Sequence, residues 1–156
     1  MDSKIALALR LELFWLLLTA LVFCLVAGPV YLKLPHFPFF GLNLIFVTVF
    51  ITASRYIFHL RYTFLAKRQV LKVAFFFASI PIVFYLAGRV FFFKTYLEEE
   101  GTQALVGSLP YSKQSSMAGY IQAEMLLFGV GSVIAMIVFA GRMILSVWRY
   151  HNRGTV

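Results

Sequence analysis

LFWLLLTALVFCLVAGPVYL, residues 13–32, runs for twenty residues without a charge. At about 1.5 Å of rise per residue, a helix of that length spans about 30 Å, the thickness of a bilayer's hydrocarbon core. Three further runs, Phe39–Phe58, Val73–Phe93 and Met117–Val147, are as long or longer and carry only isolated charges. Hydrophobic residues make up 62% of the chain and charged residues 13%, against roughly 25% charged in a soluble domain. The pattern predicts an all-α integral membrane protein. It reads as one domain over residues 1–156, an antiparallel four-helix bundle with spans near 11–32, 39–60, 70–93 and 117–148 and an outer loop near 94–116.

The net charge of +8 would suggest nucleic acid in a soluble protein. Here the cations flank spans, where they act as topology signals and contacts to anionic lipid, and no nucleic-acid partner is predicted. Lys4 and Arg10 precede the first span. Arg61, Lys67, Arg68 and Lys72 lie between the second and third, and Arg149 and Arg153 follow the fourth. The alternate segments hold Lys33, and Lys94 and Lys113 beside Glu98, Glu99 and Glu100. The asymmetry predicts that both termini are cytoplasmic and, in a bacterial cell, that the chain lies in the inner membrane. Arg61, Lys67, Arg68 and Lys72 are then candidate contacts to lipid headgroups.

Pro35 and Pro38 break any helix through the outer turn Tyr31–Gly41. The segment Arg61–Lys72 has neither Gly nor Pro and reads as helix leaving the membrane, turning and returning. In the outer loop, Ala104, Leu105 and Leu109 form the apolar stripe of a short amphipathic helix. Ser112 is placed to cap the long last helix. Pro81 with Ser79 predicts a kink in the third span. No internal repeat is visible, which argues against an inverted-repeat transporter.

Charges inside spans are costly and mark the positions to weigh first. Arg89 and Glu124 lie at similar depth near the outer ends of the third and fourth spans and are predicted to pair. Glu12, Arg55 and Arg142 lie near the inner boundary on spans one, two and four. One carboxylate between two guanidiniums would tie three helices. Gly129, Gly131, Ser132 and Ala135 give the fourth span a face of small residues, which lets helix backbones approach closely. That face either closes the bundle or docks another subunit.

Glu12 resembles the single glutamate in the first helix of small multidrug transporters, which would imply proton coupling. The chain departs from that family in placing Glu12 at the membrane edge and in its longer outer loop. The lone cysteine, Cys24, cannot form an intramolecular disulfide, and Phe23 before it is too large for a lipoprotein signal. The flank of the first run lacks a small-x-small cleavage pattern, so that run is read as a span that stays in the chain. His36, His59 and His151 fall at span ends rather than facing one cavity, as a membrane haem would need. The Arg-to-His spacing in Ser54–His59 is too short for a lipid-phosphatase motif. No phosphate loop or catalytic set can be assembled at one depth, and no catalytic residue, cofactor or metal is predicted. The function expected from these features is an accessory or structural subunit of a larger membrane complex for transport, secretion or respiration, partnered by membrane lipids and by other subunits or itself. The alternatives are a small transporter or homo-oligomeric pore, and a lipid-binding or lipid-modifying protein.

Overall fold

A computed structural model describes residues 3–152, apart from the side chains of residues 3–6, 8, 61, 64 and 67. Every regular element among the described residues is helical, and none is a strand. Helix α1 is Ser3–Lys33, α2 Phe40–His59, α3 Gln69–Glu99, α4 Gln103–Val106 and α5 Tyr111–Asn152. All but α4 are long and apolar enough to cross a membrane. The 20 residues of α2 match an apolar core of about 30 Å. The 42 residues of α5 come to about 63 Å, so that helix must tilt or project beyond the hydrocarbon.

The connections differ from their sequence reading in detail. Between α2 and α3 the chain makes two 3-10 turns, Leu60–Tyr62 and Phe64–Lys67, and buries Leu60 and Leu65 beneath them. Gly101, at φ 75, ends α3 in the left-handed conformation that favours glycine. The loop between α3 and α5 packs against the bundle. Leu105 and Val106 are buried, Leu109 packs against the core and Ala104 is exposed, so the stripe is rotated by one residue from the predicted one. Helix α5 starts at Tyr111, which puts Ser112 inside it rather than at its cap. Helix α3 runs unbroken through Pro81, and the Ser79 hydroxyl donates to the Phe76 carbonyl.

Helix α5 is the axis of the packing. Both α2 and α3 lie along it, whereas α1 packs chiefly on α2. Helices α2 and α5 run in the same direction, because their contacts keep a nearly constant offset: Asn43 with Glu124, Phe50 with Phe128, Tyr56 with Phe139. Helix α3 runs against α5, joining Lys72 to Ser146 and Phe75 to Phe139. Together these contacts bring the start of α1, the end of α2, the start of α3 and the end of α5 to one end of the molecule, here the terminal end. The opposite, loop end holds the turn 34–39 and α4.

The small residues of α5 face inward. Ser132 and Ala135 are buried. A Cβ on Gly129 would lie 2.9 Å from Val90 Cγ2 and 3.0 Å from Phe46 Cε2, and one on Gly131 would lie 3.1 Å from the Phe50 ring. Dispersion is the main attraction between helices in lipid, and these two notches let whole rings reach the α5 backbone. The Phe46 ring is fully buried and Val90 is branched at Cβ, so neither moves aside at low cost. Gly129→Ala is expected to destabilise the protein by about 1–3 kcal/mol through overpacking. Gly141→Ala, where nothing lies within 4 Å, is expected to be neutral. Thermal unfolding of the two variants in the same detergent checks the difference.

Candidate functional site, a cleft between the first two helices

The structure joins Glu12 to Arg55 and leaves Arg142 elsewhere. The Arg55 guanidinium donates from Nη1 and Nη2 to the two Glu12 oxygens, both at 2.6 Å. This two-pronged geometry suits a planar cation and a carboxylate. Arg55 is 8% exposed and Glu12 35%. The guanidinium also lies 5.7 Å from the Trp15 ring and 5.4 Å from the Tyr56 ring, and Trp15 in turn packs on His59. The expected three-helix cluster is therefore a two-helix tie. Arg142 projects instead into a pocket shared with Lys72 and Ser146, on the α3 side of α5.

The predicted Arg89–Glu124 pair does not form. Glu124 is 5% exposed and accepts a hydrogen bond from Asn43 Nδ2 at 2.6 Å. Arg89 is on an exposed face, with its guanidinium 5.2 Å from the Tyr85 ring. The two are not level: Val90 of α3 meets Gly129 of α5, which leaves Glu124 more than a helical turn nearer the loop end than the part of α5 beside Arg89. At the level of Glu124, α5 turns that carboxylate toward α2. Asn43, which depth matching of charges alone passes over, is the polar residue at that level of α2.

The candidate headgroup contacts also divide. Arg68 is exposed. Lys72 is 2% exposed and is no surface contact. Its ammonium donates to the Ala66 carbonyl at 2.8 Å, Ser146 Oγ at 2.9 Å and Gln69 Oε1 at 3.2 Å. The side chains of Arg61 and Lys67 lie outside the described residues. The three histidines are apart: His36 is exposed in the loop-end turn, His59 packs on Trp15, and His151 contacts its own helix at the Val147 carbonyl. Among the described residues, no group of three His, Cys, Asp or Glu side chains is placed to hold a metal ion.

Between the tie at Glu12 and the loop end, α1 stands away from α2. At the loop end it is held again. Ala27 and Val30 are buried there, Phe23 and Tyr31 pack on Phe40, and Tyr120 of α5 donates to the Val26 carbonyl at 2.6 Å. The two attachments frame a cleft of about 740 Å³. Its walls are Leu13, Leu16, Phe23, Leu44 and Ile51, and Thr19, Ala20, Cys24, Thr48 and Thr52 add small and hydroxyl groups. The Thr19 hydroxyl is satisfied within its helix by the Trp15 carbonyl. Glu12 and Arg55 form the polar end.

No protein-family model, no curated protein and no solved structure matches this chain.

The Asn43–Glu124 contact leaves Glu124 Oε2 and Asn43 Oδ1 buried without a partner. Glu124→Gln keeps the acceptor for Asn43 and supplies a donor where Oε2 has none. It is expected to hold or raise the unfolding midpoint. Glu124→Ala strands the Asn43 amide and is expected to cost about 1–2 kcal/mol. Thermal unfolding in micelles orders the three proteins, and equal loss in both variants would show that the contact carries no weight.

Proposed function

We propose that this chain is a non-enzymatic membrane protein that holds a lipid acyl chain in the cleft between α1 and α2. The length and lining of that cleft carry the reading. From Leu9 to Cys24 the lining of α1 extends about 22 Å at ~1.5 Å per residue, and the cleft holds about 740 Å³ along it. An extended hydrocarbon tail suits a long, narrow, apolar groove of this kind. Apolar walls with a single polar end match an amphiphile, and Glu12, about one-third exposed, lies where a headgroup would emerge.

A second reading, the accessory or structural subunit, draws support from the small and hydroxyl side chains along the cleft, the kind membrane helices present to one another. On that reading a row of side chains from a partner's helix enters the cleft while the helix itself rides above it. The pore reading has less support, because the intramembrane charges keep different company: Glu12 with Arg55, Glu124 with Asn43, Arg89 with Tyr85, and Arg142 beside Lys72.

The orientation with both ends in the cytoplasm, and an inner-membrane location, belong to the same proposal. They rest on the cations gathered at the terminal end, against Lys33, Lys94 and Lys113 at the other. Reporter tags fused at residues 1 and 156 are expected to be shielded from outside reagents in intact cells. Opposite exposure of the two tags would refute the topology.

Cys24, the sole cysteine, lines the cleft and serves as a probe position. A photoreactive group attached to it in native membranes is expected to give adducts of phospholipid mass. Combined Ala20→Leu and Thr48→Leu substitutions, which fill the cleft, should remove most of that product. A discrete protein adduct in place of lipid would establish the subunit reading. Lipid adducts that persist unchanged after filling would show that the cleft holds nothing specific.

A further inference from the structure

A second concavity, separate from the cleft, lies at the terminal end between the α2–α3 turns and the last turns of α5. It has a volume of about 270 Å³. Lys72, Arg142 and Arg149 all line it, with Ser146, Gln69 and Tyr150. Lys72 is 2% exposed, and its three donors go to neutral oxygens only. Arg142 Nε is buried without an acceptor. Among the described residues, the ion pairs are Arg55–Glu12 and Lys94–Glu98, so none of these three cations has a carboxylate within 4.0 Å.

The placement of acids explains why. The chain has six acidic residues. Glu98, Glu99 and Glu100 sit at the loop end, Glu124 is held by Asn43, and Glu12 is taken by Arg55. The sixth, Asp2, lies outside the described residues. A buried cation without a counter-charge is costly, and three positive groups around one small cavity add mutual repulsion. An anion entering the cavity would relieve both.

From this arrangement we infer that the pocket is a seat for a phosphate group, carried either by a lipid headgroup or as free phosphate. A carboxylate offers two oxygens, whereas a phosphate offers three or four and can meet Arg142 and Arg149 together. Planar guanidinium forks suit that geometry. Lys72 has no donor left to give and acts from beneath the site as fixed positive charge. Size agrees: at ~30 Å³ for each water's share of liquid volume, the cavity corresponds to about nine waters. A phosphate of five heavy atoms fits with space for an ester substituent. Ser146 is held by Lys72 and Arg142 lies one helical turn before it, so the α3–α5 contact shapes the seat before any anion arrives.

The test uses the full-length protein in neutral detergent with three probes: phosphatidic acid, diacylglycerol, which lacks the phosphate, and inorganic phosphate. Phosphatidic acid is expected to raise the unfolding midpoint of the wild type and to be retained in native mass spectra, with diacylglycerol doing neither. Arg149→Gln, at an exposed position, should raise the half-saturating concentration about tenfold. Arg142→Lys, which keeps the charge and loses the fork, should raise it as well, and Lys113→Gln at the loop end should not. If inorganic phosphate reproduces the full stabilisation, the ligand is the free anion. If only the lipid does, it is the headgroup. Wild-type response in both arginine variants, or no response of the wild type to either phosphate probe, would overturn the assignment. These variants share no residue with the α1–α2 cleft, so failure here leaves the acyl-chain proposal standing, and the converse holds.

Discussion

Close approach along α5 is the constraint on which the rest of the structure depends. In lipid there is little hydrophobic gain from bringing two apolar helices together, so association must come from contact. The Gly129 and Gly131 notches admit the Phe46 and Phe50 rings of α2, and Val90 of α3 shares the first of them. This interlock sets the offset between α2 and α5. The same offset carries Asn43 to Glu124 near one end and Tyr56 to Phe139 toward the other. The antiparallel register of α3 on α5 likewise carries Lys72 to Ser146. The buried polar contacts are thus consequences of where rings meet glycines, and their own energies, near 1 kcal/mol each, are secondary.

Helix α1 lies outside this arrangement. It has no such notch opposite it, and its residues before Ala27 include none that is fully buried among those described. It is held at two places by polar and aromatic groups instead: Glu12 and Trp15 at one, Val26 and Tyr31 at the other. A helix fastened at two levels and unpacked between them must leave a gap, and the bilayer does not leave gaps empty. The cleft is therefore a mechanical result of how α1 is attached. Its polar end follows from the use of an ion pair as the fastening.

What could be read from the sequence follows the same physics. Hydropathy and length are properties of each segment alone, so the four membrane-length helices were legible from the residues of each run. Glu12 and Arg55 were identifiable as charges at one depth on helices joined by a short turn, and the structure joins them. Arg142 was grouped with them on depth, but depth does not fix the direction in which a side chain projects, and α5 places it on the α3 side. Arg89 and Glu124 diverged because Val90 meets Gly129, a register that sets Arg89 more than a helical turn from Glu124. Asn43 was overlooked because an uncharged amide does not stand out in an apolar run, although a polar residue at the depth of Glu124 was the signal available. Lys72 read as a surface cation because its run of basic neighbours implied one. Its burial depends on the 3-10 turns that fold Ala66 over it, and no local pattern foretold them.

Charge placement links the orientation to the pocket. Lysines and arginines near span ends are what orient a membrane chain, and acidic residues add little to that signal. At the terminal end Glu12 is taken by Arg55, so among the described residues Lys72, Arg142 and Arg149 have no carboxylate beside them. The cytoplasmic face of a membrane supplies negative charge from outside the chain, through anionic headgroups at its surface. A protein oriented by its cations can therefore leave their neutralisation to the lipid it is inserted in, and the stability of its terminal end then depends on which lipid that is.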